Sequence, residues 1–447
     1  MQDELLQTGS VIVEDVIIVN QYDRGTGLKE FFTEINIFED MYSPCLFAEI
    51  LITDNINLIS TFPIVGGELV VIKFRTPTFE DTPPTVFEKT FYVSGIKNRT
   101  VKGDTQVSYL LELISQEGYI DLQTTVTGSF SGTTDEVAAK IFEDYLTVSD
   151  YSYFLINDPP HSTKIKYTSN FWSPFKNLAY ISKRCQSYSG IASDFLFFET
   201  KNAFMLASPE SLIKKQRIEG LFDEYVYELV PGTYKRKRDG NSYYGTPVSD
   251  EMTRVISIKV PRVIDSVGNL MNGYYANAVR SYDLTTKKIT ETTFDMSKDA
   301  QGFFKTADGT AIPQNVNLNP YNYTSFVPVN SSLYTDYGIT NNTDLPEGHP
   351  ADYIIDKTHY RHSYLNSLLA TKFSIQIHGR TDMAVGMCIN FLYPSTGTKL
   401  VDATAADAVD KYLSGVFLIT AIRHFITNDK HTMQVEIVKN GFNEAIN

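Results

Sequence analysis

Apolar and polar residues alternate along much of the chain. Glu34-Ile35-Asn36-Ile37-Phe38 has the period of a half-buried strand, and beyond the turn at Glu39-Asp40-Met41-Tyr42-Ser43-Pro44 the residues Leu46, Ala48, Ile50 and Ile52 share one face. Val11 to Asn20 is a β-branched run, and Leu69 to Phe74 and Phe91 to Ile96 alternate again. Residues 10 to 118 therefore predict five or six antiparallel strands. The period changes at Thr133: Thr133 and Glu136 have capping-box spacing, and Val137, Ile141 and Tyr145 recur every four residues, predicting a helix to about Leu146. A second helix starts at Ser173-Pro174 with Ser173 as its cap, and a hairpin turns at Lys201-Asn202. Val255 to Val260 reads as a strand, Ile264 to Met271 as a helix and Gly273 to Tyr282 as a strand; the same helix, break, strand order recurs from Tyr360 to Ile377.

Two stretches share one grammar. The first runs through Gly67, Ile72-x-Phe74-x-x-Pro77, Phe91-x-x-Ser94-x-Ile96-Lys97 and Glu112. The second runs through Gly386, Ile389-x-Phe391-x-x-Pro394, Phe417-x-x-Thr420-x-Ile422-Arg423 and Glu436. Two similar β modules in one chain follow from this repeat. The expected division is a first, discontinuous β-barrel from residues 1–118 plus 252–292, an inserted α/β domain at 119–251, a connecting region with a long loop and a helix at 293–371, and a second barrel at 372–447. The fold class is mainly β with an α+β insert. Residues 300 to 350, rich in Asn, Thr, Tyr, Pro and Gly, read as a long loop.

Composition narrows the function. The 447 residues are 42% hydrophobic and 13% aromatic, with 28 Tyr, 28 Phe and a single Trp, a mixture that favours strands and wet interfaces. The formal charge of −14 argues against a large footprint on nucleic acid or anionic lipid. The start Met1-Gln2-Asp3-Glu4-Leu5-Leu6 does not read as a secretory signal, and no stretch is long and apolar enough to span a membrane, so no membrane insertion is expected. Cys45, Cys185 and Cys388 are far apart and read as buried free thiols.

The residues that could carry chemistry read more simply as structure. His359-x-x-His362 lacks a third ligand nearby and is expected at a solvated helix start. The adjacent acids Glu14-Asp15, Glu39-Asp40, Glu80-Asp81 and Glu143-Asp144 read as exposed turn and edge charges, since neighbours on a strand point to opposite faces. Lys235-Arg236-Lys237-Arg238 reads as a solvated turn, with a contact to an acidic subunit as the sharper alternative. No nucleophile elbow, phosphate loop or dinucleotide fingerprint occurs, so no catalytic residue, cofactor or metal is assigned.

Three blocks carry a family resemblance. Ile37-Phe38-Glu39-Asp40, Ser43-Pro44, Ile50-Leu51-Ile52-Thr53-Asp54, Pro63 and Gly67-Glu68-Leu69 form the first; Trp172-Ser173-Pro174-Phe175-Lys176, Phe197 to Asn202 and Ser208 to Leu212 form the second; Leu413 to His424 forms the third. Together they resemble the baseplate hub protein of T-even-type contractile-tailed phages and, more distantly, the hub part of type VI secretion spikes. Residues 295 to 355 have no counterpart. The resemblance implies a homotrimer whose chains each contribute two tube barrels, six in a pseudo-sixfold ring. It implies a symmetry adapter between a sixfold tail tube, or its initiator, and a trimeric central spike, with baseplate wedge proteins around it. DNA would pass transiently through an acidic bore without specific binding. Such a protein is a virion component of the tail baseplate, assembled in the host cytoplasm, and not an enzyme. A tailocin or contractile injection system would use an equivalent hub. A β-rich glycan depolymerase is the alternative from another class.

Overall fold

The computed structural model describes residues 8–56, 58–77, 85–102, 106–147, 153–157, 164–185, 194–219, 226–228, 251–262, 265–299, 318–329, 350–369, 371–395, 409–410 and 412–440. The first segment folds as β1 (Ile12–Val19), β2 (Gly25–Gly27), β3 (Phe32–Asp40), β4 (Phe47–Asp54), β5 (Leu69–Arg75), β6 (Val86–Lys102) and β7 (Gln106–Ser115), followed by the short helix α1 (Gln116–Asp121). The alternation does what the sequence promised. Val70, Ile72 and Phe74 of β5, and Ala48, Ile50 and Ile52 of β4, face one core, while the residues between them are part-exposed. The order is β3-β4-β7-β6-β5-β1. Leu28 closes it, donating its N–H to the Val16 carbonyl (2.7 Å) and accepting at its own carbonyl from Phe32 (3.0 Å).

The insert follows as β8 (Ser129–Thr133), α2 (Thr134–Leu146), β9 (Phe154–Asn157), β10 (Lys164–Thr168), α3 (Pro174–Ser182), β11 (Leu196–Glu199), β12 (Phe204–Ala207), α4 (Pro209–Glu219) and β13 (Val226–Glu228). The capping box of α2 is formed: Glu136 N–H donates to Thr133 Oγ1 and Thr133 N–H to Glu136 Oε2. The expected cap of α3 is corrected. Ser173 makes no capping bond there, and Asp121 of α1 accepts instead from Phe175 N–H at 2.6 Å. Proximity across the fold supplies a stronger acceptor, a carboxylate at a helix N-terminus. The insert has its own core, built from Val137, Ile141 and Phe142 with Phe175, Leu178 and Phe197.

The remaining elements are β14 (Val255–Arg262), α5 (Ser266–Met271), β15 (Ala276–Asp283), β16 (Ile289–Asp295), β17 (Thr324–Val329), α6 (Pro350–Leu368), β18 (Thr371–His378), β19 (Cys388–Leu392), β20 (Gly415–Ile426) and β21 (His431–Lys439). The expected division needs correction here. β14 pairs antiparallel with β18, so it belongs to the second module rather than completing the first. β15 and β16 form a separate sheet with β17, which lies within the stretch expected to be loop. β13, expected in the insert, pairs with β19. The second module thus has the order β14-β18-β21-β20-β19-β13, closed where Glu228 N–H donates to the Thr253 carbonyl at 3.0 Å. The helix, break, strand resemblance misled because α5 feeds β15 whereas α6 feeds β18, and these two strands lie in different sheets.

The fold is mainly β, with an α+β insert, as expected. Both modules lie in one sheet of 13 strands among the described residues, joined where β3 pairs with β20.

Candidate functional site

The duplication holds down to single hydrogen bonds. In β6 the register against β7 shifts between Val93 and Gly95, leaving Ser94 as the extra residue opposite Glu112. In β20 the register against β21 shifts between Ile419 and Ala421, leaving Thr420 extra opposite Glu436. Both are β-bulges, which sharpen local twist and bend the strand. Gly67 donates to the Val93 carbonyl (2.8 Å) and Gly386 to the Ile419 carbonyl (3.0 Å), each one residue before its bulge. Val93 N–H in turn donates to Glu68, and Ile419 N–H to Met387. The two glycines have φ of +84° and +89°, a region that side chains with a Cβ rarely adopt. A second pair of bulges matches β3 with β14: Thr33 is extra between Phe32 and Glu34, and Ile256 between Val255 and Ser257. The orders β3-β4-β7-β6-β5 and β14-β18-β21-β20-β19 are therefore one module used twice.

The repeat positions named from the sequence fall into this scheme. Ile72, Phe74, Phe91, Ile389, Phe391 and Phe417 are fully buried, and Ile422 nearly so. Ile96 is the exception at 36% exposed, because nothing among the described residues covers its half of β6. Pro77 is buried at the end of β5, and Pro394 bridges to Val409 beyond β19. Glu112 pairs with Lys97, and Glu436 with Lys372 at 2.5 Å.

Where the modules meet, β3 lies antiparallel to the second half of β20, with Glu39 opposite Ile422, Ile37 opposite His424 and Ile35 opposite Ile426. Buried polar residues replace aliphatic ones on the core side of this joint. His424 Nε2 lies 3.3 Å from Glu39 Oε1, and His424 Nδ1 lies 3.0 Å from His431 Nε2. His431 Nδ1 in turn lies 3.5 Å from Thr76 Oγ1. Glu39, His424 and His431 are at most 1% exposed. Phe74 meets the His431 ring edge-on at 5.4 Å and Phe87 lies 6.0 Å from His424, so aromatics of the first module close over histidines of the second. Lys201, at the tip of the β11–β12 turn, donates to the Thr381 carbonyl. Burial holds His431 well below the usual imidazole range, helped by His424 and Lys201. Burial also lowers Lys201, with Glu39 and Asp382 opposing it. The cluster ties three elements of both modules and the insert together.

Sequence reasoning assigned Glu39-Asp40 to an exposed turn; Glu39 is instead buried, because β20 and residue 385 cover it. The signal was present in the strands themselves. Glu39 continues the Ile35, Ile37 face, His424 stands between Ile422 and Ile426, and His431 precedes Met433 and Val435. Each is a polar residue on an apolar face.

The expectation of a solvated His359 is likewise corrected. His359 is 5% exposed, with Nδ1 3.4 Å from Thr292 Oγ1, and His362 stacks on Tyr323, so both dock α6 onto the sheet of β15, β16 and β17. Glu14 bridges Lys73 (3.6 Å) and Arg75 (2.9 Å) as a cross-strand ion pair. The run 235–238 and the pair Glu80-Asp81 lie outside the described residues. Cys45, Cys185 and Cys388 are buried and in no disulfide among the described residues, and burial pushes each thiol up to about 12.

The polar face of the large sheet carries a ladder of compensated charge. Arg423 donates to Asn36 Oδ1 at 2.8 Å and lies 3.9 Å from Glu34, beside the Lys97–Glu112 and Lys372–Glu436 pairs. Across the second module this face is a shallow groove of about 520 Å³ lined by Ser374, Gln376, Arg423, Lys430 and Gln434.

Neither a family model nor a curated sequence matches the chain. Among solved structures, the tail protein from Neisseria meningitidis MC58 aligns over 97% of this chain and 99% of its own, at 8% identity and a TM-score of 0.50. The 43 kDa tail protein of prophage MuSo2 from Shewanella oneidensis aligns over 95% and 98%, at 9% identity and a TM-score of 0.50. The chain has the fold of these tail proteins. A chain of the Francisella PdpA-VgrG complex also aligns, over 100% of this chain and 60% of its own, at 10% identity and a TM-score of 0.46.

Proposed function

We propose that the chain is a structural hub of a contractile tail. Three copies would place six like modules in a ring, fitting a sixfold tail tube, or its initiator proteins, on one side and a trimeric central spike on the other. The observation that carries this reading is the module duplicated bulge for bulge within one tail-protein fold. A ring of six positions needs nearly equivalent modules, and a threefold partner needs them in pairs. Baseplate wedge proteins would pack on the outside, and the protein would reside in the virion.

The polar face of the sheet would line the passage for DNA. Of its cations, Lys97, Lys372 and Arg423 are engaged by Glu112, Glu436 and Asn36, while Lys259 and Lys430 line the groove beside Arg423. No enzymatic role is proposed. Of the carboxylates expected to be exposed, Glu14 is taken up in ion pairs and Glu39 in a buried contact with His424, whereas Asp15, Glu143 and Asp144 are exposed. The hub of a tailocin or injection system would use the same ring, and neighbouring capsid genes separate the two.

Light scattering on the purified chain should give the mass of three copies, with no sugar released from cell wall or capsule. Hydrolysis abolished by changing one carboxylate would overturn the structural reading in favour of a depolymerase.

A further inference from the structure

Each module uses its strands by halves. The first half of β20 pairs with β19 of its own module, and the second half, Ala421 to Ile426, pairs with β3 of the other. In the first module, β6 pairs with β5 over Val86 to Tyr92, and no described strand covers its outer side from Ile96 to Val101. β14, the counterpart of β3, is bridged at Arg254 to Glu228 of its own module and has no described partner on its outer side beyond that point. The chain thus satisfies one such joint internally and leaves the two complementary halves of another open.

The side chains record the missing neighbour. Ile422 is 2% exposed and Ile426 0% beneath β3, whereas their counterparts Ile96 and Val101 are 36% and 65% exposed. Ile37 is fully buried against β20, whereas its counterpart Val260 on β14 is 43% exposed. Apolar residues on an open edge invite a further strand.

We infer that the second half of β6 in one copy pairs antiparallel with β14 of the next copy, in the register of the internal β3–β20 joint. This rests on the ring reading above and names the surface that would close it. The register follows from shared partners. Thr100 opposes Ser108 as Phe425 opposes Thr432, and Lys259 opposes Ser374 as Asn36 opposes Glu49. Because Phe425 opposes Asn36, Thr100 of one copy opposes Lys259 of the next, and Val101 opposes Ile258. Asn98, at φ +53°, forms an extra bulge in β6 without a counterpart in β20. Such a contact is heterologous: one copy offers β6 and the next offers β14, so it ends only when a ring closes.

The test uses the full chain carrying Thr100→Cys and Lys259→Cys, directly opposed positions whose Cβ atoms would be within disulfide reach. The native thiols are buried and do not compete. Mild oxidation should give covalent dimers and trimers on a non-reducing gel, and neither single variant should give any. An Asn36→Cys/Phe425→Cys variant closes within one chain and verifies the geometry. Val101→Asp and Val260→Asp should each lower the mass to a single chain with an unchanged far-UV spectrum. An oligomeric wild type whose double variant never cross-links overturns the edge pairing and leaves the hub reading standing. A wild type monomeric up to millimolar concentration overturns both.

Discussion

Replacing His431 by Gln should remove one specific slope from the pH dependence of stability. In the folded protein His431 is buried between His424, Thr76 and the ring of Phe74, and Lys201 adds positive potential. Its pKa is therefore depressed, and a depressed histidine contributes stability that is present above the unfolded value, near 6.5, and lost as pH falls. Below that value the unfolded chain takes up a proton that the folded protein refuses, which costs about 1.4 kcal/mol per pH unit for one proton. The loss grows as pH falls below 6.5, at up to about 1.4 kcal/mol per pH unit, and fades above it. Gln keeps a donor and an acceptor but no titrating ring, so its cost is constant with pH. Guanidinium unfolding followed by far-UV circular dichroism, at one protein concentration and several pH values, gives both curves. Groups away from the cluster, such as the buried Asp194, titrate in both proteins and cancel in the difference. The wild-type advantage should shrink by about one proton's slope below pH 6.5. Parallel curves over that window would refute the buried neutral His431.

Other positions make independent claims. Gly67→Ala and Gly386→Ala should each lose on the order of 1–2 kcal/mol in denaturant unfolding, because both hold positive φ and a Cβ at Gly67 would sit 3.1 Å from the Tyr119 hydroxyl. A loss within a few tenths would contradict the strained turn. Lys89→Met removes the 2.6 Å partner of fully buried Glu199, which also accepts from Leu46 N–H, and should cost about 3–5 kcal/mol in the same assay; stability at wild-type level would show that the carboxylate is otherwise satisfied. Asp121→Ala should cost about 1–2 kcal/mol and more than Ser173→Ala, since Asp121 holds the N-terminus of α3. The opposite ranking would restore Ser173 as the cap.

Strand alternation and the repeat were legible because both are local. Phe91 to Ile96 and Phe417 to Ile422 carry the same spacing around Ser94 and Thr420, and those two residues are the bulges. What the sequence hid was long-range choice of partner. β14 joins a strand more than a hundred residues away, and nothing in Val255 to Val260 distinguishes β18 from a first-module strand as its neighbour. β17 was hidden for a related reason: six residues among turn-forming ones become a strand only because β15 offers an edge. The Glu39, His424, His431 cluster escaped because each residue looked like a lone polar interruption. Only the β3–β20 joint makes them one group, and the same joint shows what the exposed Ile96 and Val101 lack.

The ring of six modules is the central claim. Electron cryomicroscopy of the purified chain, or of the baseplate that contains it, should show three copies with six β modules alternating around one axis, first-module and second-module joints in turn. A closed ring with any other number of modules, or a twofold dimer burying a different surface, would contradict it.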